Sequence, residues 1–249
     1  MYLICNHKNK LTYKEVKEYT KKLKNIKVDN LNLIIAPSLP YIYNFIEYEL
    51  ASQDISVYDC DTITGDITGR QLRSLSVKYV IIGHPERRKK YYETIDILKR
   101  KIINANNNNI KVIYCFTDNG SSIEETKNSL ESEYFSIKDV LKDDAIIAYE
   151  PFFAIGGSNK LDYEYTNEII NYLSKITNKN TIYGGGVDEI NIEKLLKFEN
   201  IDGFLISNSS LDITVLQKII KKLTWFDKKI CKLTQFDKIN SSILSFFLL

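Results

Sequence analysis

Eight short apolar runs, each followed by a longer stretch of helical spacing, predict a (β/α)8 barrel, eight parallel strands ringed by helices. Several runs are apolar almost throughout, as strands buried on both faces must be. The 249 residues suit one such domain. Polar residues capable of chemistry stand directly after the ends of the runs, where barrel sites are built. An open doubly wound sheet is the alternative that the same alternation allows.

The first strand is read at Tyr2–Cys5, and Thr12-Tyr13-Lys14-Glu15 has the pattern of a capping box that opens the first helix. Further strands are expected at Leu31–Ala36, Ile55–Asp59, Tyr79–Ile82, Ile110–Cys115, Ala145–Tyr149, Thr181–Tyr183 and Ile201–Ile206. A helix is expected from Tyr92 to Ala105, with apolar residues at 95, 97, 98, 102 and 105. Tyr163–Ile176 and Leu211–Leu223 carry similar patterns. The barrel domain is therefore assigned to residues 1–223.

Residues 224–249 form an extension of different character. Lys222-Leu223-Thr224-Trp225-Phe226-Asp227-Lys228 recurs as Lys232-Leu233-Thr234-Gln235-Phe236-Asp237-Lys238, and an apolar run, Ile243 to Leu249, follows. A helical segment packed on the barrel is expected; an additional oligomer or partner contact is the alternative.

A net charge of +2 with interspersed signs gives no nucleic-acid surface. No apolar run has membrane-spanning length, and no secretory leader is expected. Four cysteines without a paired motif read as reduced thiols in the cytoplasm.

Ala148-Tyr149-Glu150-Pro151 puts a carboxylate at the exit of the sixth strand, ahead of Phe152-Phe153-Ala154-Ile155-Gly156-Gly157-Ser158. That composition suits a lid, and a carboxylate shut away from water is a stronger base. His84 follows the fourth strand, and Pro85 suits the first position of a helix whose positive end disfavours imidazolium. Lys8, after the first strand, offers fixed positive charge to an anion. Gly184-Gly185-Gly186 follows the seventh strand, where backbone N–H groups of a barrel commonly meet phosphate. Each signal alone is ordinary.

Together, Asn6-x-Lys8, Gly83-His84-x-Glu86-Arg87-Arg88, Ala148-Tyr149-Glu150-Pro151-x-x-Ala154-Ile155-Gly156, Tyr183-Gly184-Gly185 and Asp202-Gly203-Phe204-Leu205 resemble triosephosphate isomerases in order and spacing, over roughly residues 1–223. Thr62-Ile63-Thr64-Gly65-Asp66 is similar to that family's loop after strand three. The resemblance implies interconversion of dihydroxyacetone phosphate and D-glyceraldehyde 3-phosphate, in glycolysis and gluconeogenesis. It implies Glu150 as base, His84 as neutral electrophile and proton shuttle, and Lys8 with Asn6 stabilising negative charge. By the same resemblance Glu86 would orient this cluster. Ile155 and Leu205 would clamp over Glu150, while Gly156 and Gly184 to Gly186 would hold phosphate. The resemblance also implies a homodimer in which Thr64 reaches the neighbouring subunit's site. No metal or organic cofactor is implied.

The chain departs from the family's pattern at several positions. Pro85 replaces a serine, leaving the Glu86 N–H to hold the imidazole. Phe153 replaces the tryptophan of the lid, and Thr117-Asp118 replaces Gly-Glu. Gly186 stands for a serine, and Ser207-Asn208 for Gly-Gly, so phosphate would meet side-chain hydroxyl and amide groups in place of bare backbone. Weaker substrate binding than is usual in the family is expected. The alternatives are a non-catalytic or low-activity paralogue that serves as a binding or structural protein, and an isomerase of another small sugar phosphate.

Overall fold

The computed structural model describes residues 1–60, 62–118, 122–151 and 161–226. Eight parallel strands close in sequence order: β1 (Tyr2–Asn6), β2 (Asn32–Ala36), β3 (Glu49–Ser52), β4 (Tyr79–Ile82), β5 (Lys111–Phe116), β6 (Ile146–Tyr149), β7 (Thr181–Tyr183) and β8 (Gly203–Ile206). Outside them lie α1 (Tyr13–Leu23), α2 (Gly69–Ser74), α3 (Pro85–Lys90), α4 (Ile95–Asn107), α5 (Ile123–Ile137), α6 (Tyr163–Thr177), α7 (Ile192–Leu195), α8 (Asn208–Leu211) and α9 (213–226). The expected closed barrel is the observed one.

The strands alternate between two cores. Ile4, Ile34, Ile81, Ile113, Ile146, Ile182 and Leu205 fill the barrel interior. Their neighbours Leu3, Ile35, Val80, Val112, Ile147 and Phe204 pack outward against the helices. That period of two with apolar residues on both sides is why these runs read as continuous hydrophobic stretches. Closure joins β1 to β8 with Tyr2 opposite Gly203 and Cys5 opposite Ile206. A Cβ at position 203 would collide with the Tyr2 carbonyl, so the seam needs glycine there.

Helix ends follow local chemistry. The Thr12 N–H donates to the Glu15 carboxylate at 2.8 Å, as the capping pattern requires. The helix expected from Tyr92 begins instead at Ile95, because Tyr92 takes a left-handed φ of 54° and Thr94 is the N-cap. The Leu211–Leu223 pattern divides: α8 ends at Leu211, and Asp212 Oδ1 accepts from the Thr214 N–H at 2.7 Å to start α9. Helix α9 runs through residue 226, so the 223/224 boundary falls inside it. The remainder of the extension lies outside the described residues.

The third strand is where sequence and structure part. Glu49–Ser52 pairs with both neighbours, Leu50 opposite Ile35 and Ala51 opposite Tyr79, whereas Ile55–Asp59 belongs to the connection that follows. Ile55 is fully buried without being in a strand, and Glu49 and Ser52 hide the short strand's apolar character.

Candidate active site

The C-terminal ends of β1, β4 and β6 bring Lys8, His84, Glu86 and Glu150 together. Asn6 ends β1 almost wholly buried, and its Oδ1 accepts from the Lys8 N–H at 3.1 Å. Lys8 has a left-handed φ of 49°, a conformation that costs a side-chain-bearing residue about 1–3 kcal/mol. Gln53 holds it there by donating its amide to the carbonyls of Lys8 at 2.9 Å and Ala36 at 3.0 Å. The Lys8 ammonium then lies 2.6 Å from Glu86 Oε1. Burial alone would raise the Glu86 pKa, but the Lys8 charge and hydrogen bond hold it below the ordinary carboxylate value.

Past β4, Gly83 turns the chain and His84 caps α3. The Glu86 N–H donates to His84 Nδ1 at 3.2 Å, so the nitrogen that carries the proton is Nε2. Nε2 stands 3.3 Å from Glu150 Oε2. Burial pushes His84 toward its neutral form. The adjacent Glu150 carboxylate outweighs this and, with Glu86 and against Lys8, leaves the pKa raised. That upward push lasts only while Glu150 rests on the ring. A second proton on Nδ1 would break the contact from Glu86, which opposes that push.

Glu150 follows β6, 2% exposed, and its N–H donates to the Phe116 carbonyl at 2.8 Å. Its Oε1 is buried with no hydrogen-bond partner. Gly184 gives the carboxylate its space, since a Cβ there would overlap Glu150 Cγ. The fully buried Cys115 lies alongside; burial and the Glu150 carboxylate both push its thiol pKa up. A cavity of about 150 Å³ opens over Asn6, Lys8, Gln53, His84 and Glu86.

The other predicted residues divide. Gly184 is buried, Gly185 half-buried and Gly186 exposed, and the Gly186 carbonyl accepts from the Asn191 amide at 2.6 Å. Ser207 Oγ is buried without a hydrogen-bond partner, whereas Asn208 Oδ1 is taken by Lys10 Nζ at 2.8 Å. Leu205 belongs to the barrel's inner core. Thr64 is exposed beside Gly65 and, among the described residues, hydrogen-bonds to none of these groups. Ile155 and Gly156 lie outside the described residues, as does Phe153.

Residues 1–223 match the family described as triosephosphate isomerase. The chain belongs to the triosephosphate isomerase family. It is 34% identical over 223 residues to a triosephosphate isomerase of Mycoplasma mobile, covering 84% of this chain and 90% of that protein. A triosephosphate isomerase of Mesomycoplasma hyorhinis is 34% identical over 234 residues, 88% of this chain and 96% of the relative. One from Helicobacter pylori is 31% identical over 184 residues, 72% and 79% of the two chains.

For a triosephosphate isomerase family member, two groups at the mouth escaped sequence reasoning. Gln53 follows β3 directly, and placing that strand at Ile55–Asp59 hid it. The Arg88 guanidinium bonds the carbonyls of Gly83 and Cys115 at 2.6 and 2.8 Å and Glu133 at 2.6 Å, clamping the exits of β4 and β5 to α5. In sequence Arg88 is the last residue of the motif that contains His84, with nothing there to mark these hydrogen bonds. Among the described residues, no group of His, Cys, Asp and Glu could hold a metal ion, and no helix is long and apolar enough to cross a membrane.

Proposed function

We propose that this chain interconverts dihydroxyacetone phosphate and D-glyceraldehyde 3-phosphate through an enediolate, with Glu150, His84 and Lys8 as its catalytic residues. The observation that carries the assignment is the buried Glu150 carboxylate, with one oxygen 3.3 Å from the His84 proton donor and the other unpartnered. Substrate entering the cavity displaces the His84 contact. Glu150 takes a proton from the carbon beside the carbonyl, and the electron pair moves onto the carbonyl oxygen. His84 Nε2–H supplies a proton to that oxygen and recovers one from its neighbour. The Lys8 ammonium, fixed by Glu86, balances the enediolate's negative charge, with Asn6 beside it. Glu150 returns its proton to the adjacent carbon, and the aldose has become the ketose.

In this reading phosphate is held by the N–H groups of Gly156 and Gly184 to Gly186 and by the Ser207 hydroxyl. Asn208 is less available because Lys10 holds it. Substrate affinity is accordingly lower than is usual in the family. Ile155 and Leu205 close over the carboxylate. The exposed aromatic and aliphatic side chains Tyr43, Ile46, Ile63, Tyr91 and Tyr92 support a homodimer in which Thr64 meets the other subunit's site. Free Cys5, Cys60 and Cys115 suit the cytoplasm.

The decisive measurement is turnover of D-glyceraldehyde 3-phosphate in a coupled assay by the chain and by Glu150→Gln. Turnover in the first, reduced by about 10²–10⁴ in the second, supports the assignment. Equal rates would end it, and no turnover in either would favour a binding paralogue.

A further inference from the structure

The end of the barrel opposite the candidate site carries an apolar groove with no part in that chemistry. Leu196, Trp225 and Phe226 line it with Glu193, Lys197, Lys221 and Lys222, around a volume of about 480 Å³. Helix α9 leaves the mouth after β8 and descends the barrel wall, so its last turn lies near the starts of the strands. The segment after α7 leads into the start of β8 at the same end. Lys222 fixes the two walls: its ammonium is 2.8 Å from Glu193 Oε1 and donates to the Glu189 carbonyl at 2.7 Å. Trp225 is 63% exposed.

The chain continues directly from this groove. Phe226 is its last described residue, and the family match ends at residue 223. Beyond it, Ile239, Ile243 and Phe247 recur every four residues, a spacing that puts apolar side chains on one side of a helical pattern. Residues 239–249 contain no charged side chain, and Ile, Leu and Phe dominate them. Such a segment needs cover. Only residues 227–238 separate it from the groove wall, and a linker that short gives an effective concentration on the order of millimolar or more.

We propose that the groove between α7 and α9 is the seat of the chain's own segment 239–249, folded back in cis so that its apolar side chains cover Trp225 and Phe226. The pairing removes two apolar surfaces from water at once. It also separates the extension from catalysis: it fastens the last helix and leaves the mouth untouched.

Trp225 is the chain's single tryptophan, so its fluorescence reads this contact directly. The full chain is compared with one lacking residues 230–249 and with the full-length double variant Phe246→Asp, Phe247→Asp. Expected are a blue-shifted emission maximum and weak acrylamide quenching in the full chain. Both variants should be red-shifted and quenched several-fold more strongly, with isomerase turnover retained. Identical emission and quenching in the full chain and the double variant overturn the proposal, even if the deletion fails to fold. Protection lost on dilution, together with a fall in molecular mass, also overturns it, because the occupant is then a second copy. Turnover that falls in step with quenching overturns the separation from the mouth.

Discussion

Gly184 lies so close against Glu150 that a single methyl group on its Cα would overlap the glutamate's Cγ. The seventh strand's exit thus sets the position of the sixth strand's carboxylate. Gly184→Ala is expected to displace Glu150 by roughly an ångström and to lower kcat by about 100-fold, the usual penalty for such misplacement. The barrel should still form. Wild-type kcat in a folded Gly184→Ala protein would show that the working carboxylate sits elsewhere.

Gln53 restrains a strained backbone through its bonds to Lys8 and Ala36. Gln53→Leu leaves the Lys8 carbonyl without its donor, while Ala36 keeps the His7 N–H at 3.0 Å, and should cost about 1–3 kcal/mol in urea unfolding. Turnover should fall as well, since relaxation of Lys8 moves its ammonium. Unchanged stability and unchanged rate together would remove Gln53 from the site.

Ser207 separates binding from folding. Its hydroxyl is buried and unpartnered, so Ser207→Ala should leave the melting temperature equal or slightly higher. Inhibition by inorganic phosphate should weaken by about 5–150-fold if this hydroxyl donates to the anion, a range equivalent to about 1–3 kcal/mol. Phosphate inhibition unaffected by the change assigns anion binding to backbone groups alone.

His7 makes stability depend on pH. Buried edge-on to Tyr19 at 4.9 Å and Phe45 at 5.4 Å, its ring nitrogens have no hydrogen-bond partner. Burial pushes its pKa down to about 4. The unfolded chain therefore binds a proton near the ordinary pKa of about 6.5 that the folded chain refuses. This contribution is fully present above that value and is lost as pH falls toward 4. It amounts to about 2 kcal/mol between pH 7 and 5. His7→Phe should flatten urea midpoints over that interval by about this amount; parallel pH curves for the two proteins would refute it.

Most of the barrel was legible because strands buried on both faces need uninterrupted apolar residues, as in Tyr79–Ile82 and Thr181–Tyr183, whose limits match the reading. Glu49–Ser52 was not, because a four-residue strand with a glutamate at one end and a serine at the other leaves too little apolar pattern. Positions of Glu150, His84 and Lys8 at strand exits were readable from spacing. Their mutual contacts were not, since these depend on Gln53, Gly184 and Arg88, whose work is to hold other groups. Nor does sequence reveal that Lys10 occupies Asn208 across 198 positions.

The bond from the Glu86 amide to His84 Nδ1 has a consequence for how the enzyme resets. With one ring nitrogen engaged by the main chain, all traffic must pass through the other. In the proposed reaction, whatever Nε2 gives to the first oxygen it must collect from the second before product leaves. The ring ends each cycle as it started, ready for the reverse direction as much as the forward one, with no solvent molecule needed to recharge it.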